Sequence, residues 1–183
     1  MTKELIGREI TRRELQARWA YSELASSRFA AKWYGGAPQP LSGKAQKKIP
    51  FEQLSSEELE CLAALNASVR GPLWARITVG SFVCTEWTRE QLLQIVSVVE
   101  NPWPPLADYI ATTPPPGDLS DPRNIAASNP PTQPLSEQEP IMVVPCNGKQ
   151  TLFDGTLRSI LFLRPSDASA RIMVWVPAAT GTE

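Results

Sequence analysis

Residues 140–164 read Pro140-Ile-Met-Val-Val-Pro-Cys-Asn-Gly-Lys-Gln-Thr-Leu-Phe-Asp-Gly-Thr-Leu-Arg-Ser-Ile-Leu-Phe-Leu-Arg164, and the changes of pattern inside this stretch decide the fold class. Ile141 to Val144 is a continuous apolar run, which predicts a strand covered on both faces. Asn147-Gly148 is a strong two-residue hairpin signal, so Gln150 to Phe153 is expected to return as the partner strand. Asp154-Gly155 then leads into a helix from Thr156 to Arg164, closed by Pro165. Leu157, Ile160, Leu161, Phe162 and Leu163 make that helix apolar nearly all round, hence buried. After a loop, Arg171 to Val176 predicts a last strand, ended by Pro177. Strand, hairpin, strand, helix, strand is an α+β order.

Upstream, residues 101–140 carry 11 of the 18 prolines, which cannot supply sheet donors or continue a helix for long. They read as a long surface insertion holding one short helix over Leu106 to Ala111. Its role is either a plain tether or a polyproline strip for docking a partner. Before it, Thr88 caps a helix from Arg89 to Glu100, which Asn101-Pro102 breaks. Leu73 to Val83 alternates Trp74, Ile77, Val79 and Phe82 and predicts a strand. A helix from Ser55 or Ser56 to Ala67 precedes it, with Glu57, Glu58 and Glu60 at its positive end and Gly71-Pro72 as its stop. Pro38 to Lys48 reads as a basic, flexible linker. Thr11 to Tyr34 reads as a helix, opened by Thr11 with Glu14 and stopped by Gly35-Gly36. Two parts result: a basic helical arm and linker over 1–48, and a domain over 49–183 that carries the insertion.

Charge divides along the same line. The formal net charge is −1, yet residues 1–48 hold 10 basic and 4 acidic side chains against 8 and 15 in the remainder. A basic arm on an acidic body hints at a polyanionic partner. Arg12, Arg13, Arg18, Arg28, Lys32, Lys44, Lys47 and Lys48 are the candidate nucleic-acid contacts, with Trp19, Tyr21, Trp33 and Tyr34 near enough to stack bases. The other reading is an amphipathic helix that packs its tryptophans against the body.

Several chemistries are excluded outright. The chain has no histidine, which removes Ser–His–Asp and Cys–His catalysis, histidine zinc sites and histidine-based nucleases. Cys61, Cys84 and Cys146 stand too far apart for a zinc cluster and read as reduced, partly buried thiols. No phosphate loop of the Walker type and no dinucleotide fingerprint occurs. No run approaches the roughly 18 apolar residues of a membrane span, and the amino terminus lacks an apolar signal region. A cytoplasmic protein is expected, reaching the inner membrane only through a partner.

One constellation carries chemistry. At Phe153-Asp154-Gly155-Thr156-Leu157-Arg158 a strand turns into a helix, and free amides at such a start bind phosphate. Gly155 permits close approach of a ligand to the main chain, Thr156 adds a hydroxyl, and Arg158 offers a guanidinium fork one turn on. Gly155, Thr156, Leu157 and Arg158 are therefore the expected phosphate cradle. Donors of this kind stabilise the charge of a transferring phosphoryl group. Asp154 beside a phosphate calls for a bridging Mg²⁺, and Glu86 is a more distant second carboxylate. The plain alternative is that Asp154 caps the helix and forms an i,i+4 ion pair with Arg158.

The block Pro140-Ile141-x-Val143, hairpin, Asp154-Gly155-Thr156-x-Arg158, apolar helix and closing strand resembles the ParB/sulfiredoxin superfamily, over roughly residues 73–177. That resemblance implies a mixed sheet with helices, and a nucleotide (ATP with Mg²⁺) held at the helix start. Leu157 departs from the second basic residue many members carry. No cysteine adjoins Gly155, so the sulfiredoxin reaction is not implied, and no helix-turn-helix follows the fold. Small stand-alone members that act as fertility-inhibition proteins of conjugative plasmids are the most similar. They imply ATPase and DNase activity directed against DNA transfer through a type IV secretion system, with DNA and a secretion or coupling protein as partners. On that reading Arg158, Asp154 and Glu86 are catalytic and Asp154 holds the metal. The alternative is a non-catalytic nucleotide- or partner-binding module of the same fold.

Overall fold

The computed structural model describes residues 2–26, 30, 34–35, 39–95, 97–98, 106–112, 116–118, 121, 123–124, 128, 138–146, 149–163 and 169–178. The chain is mixed α+β and forms two compact units, one of Met1–Glu9 with Val83–Glu183 and one of Ile10–Phe82. The boundary expected at 48/49 falls inside the second unit. What reads as a charged arm is folded into a core there.

In that unit, α1 (Arg12–Leu24) starts at Thr11, whose hydroxyl accepts from the Glu14 amide. The helix expected to run on to Tyr34 ends at Leu24, and residues 27–29 and 31–33 lie outside the described residues. Helix α2 (Gln39–Gln46) forms where a flexible linker was expected. Pro40 sits in its first turn, where no amide is needed, and the i,i+4 pair Leu41 and Ala45 is buried. Helix α3 (Ser56–Trp74) has a full capping box between Ser55 and Glu58. It continues through Gly71-Pro72, the expected stop, because Asn66, Arg70 and Trp74 follow at successive turns and are all buried. A proline one turn from a helix end removes one hydrogen bond, and burial of Trp74 offsets that.

Helices α1 and α3 run parallel. Arg13 pairs with Glu60 and Glu23 with Arg70, so the two contacts stand ten residues apart on each helix and in the same direction. Their core joins Ala17, Ala20 and Leu24 to Leu62 and Ala63, with Leu41, Phe51 and Leu54 closing it. Trp19 meets Trp74 edge-on at 5.6 Å.

The strands form one sheet in the order β1 (Glu9–Thr11), β2 (Ser81–Trp87), β6 (Ile172–Pro177), β4 (Ile141–Cys146), β5 (Lys149–Asp154) and β3 (Ser97–Val98). Strands β4 and β5 are antiparallel, and β4 lies parallel to β6 and β5 to β3. The β4–β5 pairing slips between Met142 and Val143. The strand expected over Leu73–Val83 lies later, at β2, because Leu73 and Trp74 finish α3. Helix α4 (Arg89–Leu93) keeps the Thr88 cap, as a full box with Gln91, but stops after five residues and gives way to β3. The branched residues Ile95 and Val98 favour extended backbone there. Helix α5 (Leu106–Ala111) stands where expected. Helix α6 (Thr156–Leu163) follows β5 directly. Ile141, Met142, Val143 and Val144 are all buried, so β4 is covered on both faces. One face packs on Leu92, Ile95, Leu106, Phe162 and Leu163.

Candidate functional site

The strand-to-helix corner forms where the sequence places it. Gly155 has φ 95°, which an L side chain rarely adopts, and this turns the chain from β5 into α6. Gly155 is buried, and the space a side chain would take is filled. A Cβ there would lie 2.7 Å from Ile141 Cβ, closer still to Ile141 Cγ2, and 3.2 Å from Arg158 Nη2. The glycine is therefore used by the turn and by the approach of β4. The ligand expected against it meets Ile141 instead.

Arg158 is held by two acceptors. Its Nη1 donates to the Glu139 carbonyl, and its Nη2 donates to Asp154 Oδ2 at 2.5 Å. The two side chains are 16% and 23% exposed, so the ion pair is shielded without being sealed. Asp154 spends its carboxylate on this contact and does not cap α6. Among the described residues no side-chain oxygen accepts from the first amides of that helix. Thr156 and Leu157 are half-buried on its first turn.

Arg158 also lines a surface concavity with Gln138, Glu139, Pro140, Ile141, Ile172 and Met173. Its volume, open mouth included, is about 190 Å³, below the roughly 300–1,000 Å³ of ordinary small-molecule pockets. Glu139 is the residue that sequence reasoning missed. Its carbonyl accepts from Arg158 and its Oε1 accepts from Trp175 Nε1 at 3.1 Å. It stands at the end of a proline-rich stretch, with no spacing or motif to mark it.

The corner does not fit a resident divalent ion. Such an ion takes about six oxygens, whereas Asp154 is occupied by Arg158 and Glu139 by Trp175. Among the described residues no three His, Cys, Asp or Glu side chains gather in one place. Glu86 is exposed on β2 and does not line the concavity.

The expected nucleic-acid contacts are mostly engaged within their own unit. Arg12 donates to the carbonyls of Trp74 at 2.6 Å and Ile77 at 2.9 Å and lies over the Trp74 ring. Arg13 pairs with Glu60. Arg18, 2% exposed, bridges Glu14 and Glu52 and covers the Phe51 ring at 4.2 Å. Lys44 pairs with Glu58 at 2.6 Å. Lys47 and Lys48 are exposed, while Arg28 and Lys32 lie outside the described residues. Of the aromatics expected to stack bases, Trp19, Tyr21 and Tyr34 are buried and Trp33 lies outside the described residues. The basic residues of α1 balance neighbouring acids in a folded core, which overturns a free arm as the source of the charge asymmetry.

No protein-family model matches the chain, and no curated protein or solved structure is similar to it. Among the described residues no helix is long and apolar enough to cross a membrane.

Proposed function

We propose that this chain is a non-catalytic binding module of ParB/sulfiredoxin-like fold, whose β5–α6 corner serves the structure and performs no hydrolysis. The order β4, β5, α6, β6 and the glycine turn support the fold assignment. The observation that carries the functional reading is the engagement of Arg158 by Asp154 and Glu139, next to a glycine filled by Ile141. A guanidinium so neutralised has little left for a phosphoryl group, and an unopposed Asp154 would repel one. The ligand is a macromolecular partner, a secretion or coupling protein or DNA, bound away from this corner. The test is a melting curve with and without millimolar Mg-ATP. Ligand at ~100 times its dissociation constant would add roughly 2.7 kcal/mol, so the module is expected to melt unchanged. A clear upward shift would refute it.

A second reading is favoured by the concavity at Arg158 and by the helix start that no side chain caps. In it the protein is an ATP-hydrolysing, metal-dependent DNase that inhibits conjugative DNA transfer. Phosphate would displace Asp154 from Arg158 and lie on the amides of Thr156 and Leu157, and Mg²⁺ would arrive with the nucleotide. ATP turnover and plasmid nicking, compared between wild type and a folded Arg158→Ala variant, decide this reading. Equal rates in both would remove the corner from any chemistry.

A further inference from the structure

The helical unit holds a polar network that neither reading uses. Glu23, on α1, is buried and spends both carboxylate oxygens. Its Oε1 accepts from Arg70 Nη2 at 2.5 Å and its Oε2 accepts from the Tyr34 hydroxyl at 2.5 Å. The same hydroxyl accepts from Asn66 Nδ2 at 3.1 Å, and Asn66 Oδ1 accepts from Trp74 Nε1 at 2.6 Å. Arg70 lies over the Trp19 ring at 5.2 Å. Each member has one permitted direction of donation, so the chain of bonds fits one arrangement.

Burial of such a pair is weak evidence for stability, because desolvation of two ions offsets their attraction. It discriminates strongly between arrangements. Glu23 is the one acid among the buried residues of α1, and Arg70 the one charged residue among those of α3. A slip of one turn would set Asn66 or Trp74 against Glu23, or Trp19 against Arg70, and leave a buried ion alone. The exposed pair Arg13–Glu60 has the opposite sense, with the cation on α1. Antiparallel docking would therefore bring Arg13 to Arg70 and Glu23 to Glu60.

We propose that the Glu23–Arg70 network, with Arg13–Glu60 at the other end, is a conformational key: it selects the parallel, single-register pairing of α1 on α3 instead of adding to stability. Side chains that carry the information for a pairing without contributing to its strength act as devices of this kind in helical assemblies.

The experiment uses the full chain with Glu23→Leu, Arg70→Met and the two combined. Each single variant leaves one buried ion without its partner, and its melting temperature is expected to fall by about 10 °C. The double variant is expected to regain most of that loss, yet to bind a hydrophobic dye and lose near-ultraviolet circular dichroism and amide dispersion over residues 10–82. A double variant as dispersed and dye-free as wild type would overturn the key. So would one that stays as unstable as the singles, since the pair would then supply stability itself.

Discussion

At Gly155 one residue decides between a ligand site and a packing site. Two costs fall on any side chain there. The left-handed backbone costs roughly 1–2 kcal/mol, and the collision with Ile141 adds about 1–3 kcal/mol of overpacking. Gly155→Ala is thus expected to lower stability by about 2–4 kcal/mol in urea titration, and Ile141→Ala in the same chain to return the steric share. A glycine kept for a ligand would show a small loss that does not couple to position 141. The turn was legible in the sequence, since Asp-Gly between a strand and an apolar helix has few other readings. Its occupant was not. Nothing in the spacing of Ile141 and Gly155 shows that β4 and the start of α6 meet, and Glu139 carries no signal as the acceptor that holds Arg158. A residue type announces which conformations it permits, whereas the neighbour that fills the space is fixed by tertiary pairing.

At the scale of elements, caps were read well and stops were not. Thr11, Ser55 and Thr88 each act within three residues of their own position, so local sequence suffices for them. Gly71-Pro72 failed as a stop because burial of Arg70 and Trp74 outweighs the local cost of a proline. Pro40 likewise failed to keep 39–46 unfolded, because it stands at the tolerant end of α2. Two expectations follow for α3. Ser55→Ala removes the capping box and should cost about 1 kcal/mol. Pro72→Ala restores an amide to the last turn and should raise stability by about 1–2 kcal/mol, less than the roughly 3 kcal/mol of an interior proline, because one turn is affected and the unfolded chain gains freedom. Chemical denaturation of both variants checks the pair. A neutral Ser55→Ala would mean that tertiary packing alone sets where α3 begins.

The whole molecule should respond to pH unevenly, because its perturbed groups lie mostly in residues 10–82. Lys44, then the Ser55 amide, hold Glu58 below the ordinary carboxylate value, and Arg13 does the same for Glu60. Their contribution is present above about pH 4.5 and is lost as pH falls through the lowered folded values. Both pairs are at the surface, so the acid loss should be small and should shrink further in salt. The alkaline side differs in kind. Burial, then the charge of Glu23, push the Tyr34 phenol well above its usual value of 10.0, and burial also raises Tyr21. Their neutral forms are favoured in the fold, so that stability is complete below pH 10 and declines as pH rises beyond it, where the unfolded chain ionises first. In the other unit the one comparable shift is Glu90, lowered by its own amide and the Thr88 hydroxyl, and it has no alkaline counterpart among the described residues. At pH 10.5–11, amide signals of residues 10–82 should therefore broaden and vanish before those of residues 141–177. Tyr34→Phe should flatten that alkaline slope while lowering stability at neutral pH, since Glu23 and Asn66 each lose a partner. Simultaneous loss of both sets of signals would place the alkaline weakness outside the buried phenol.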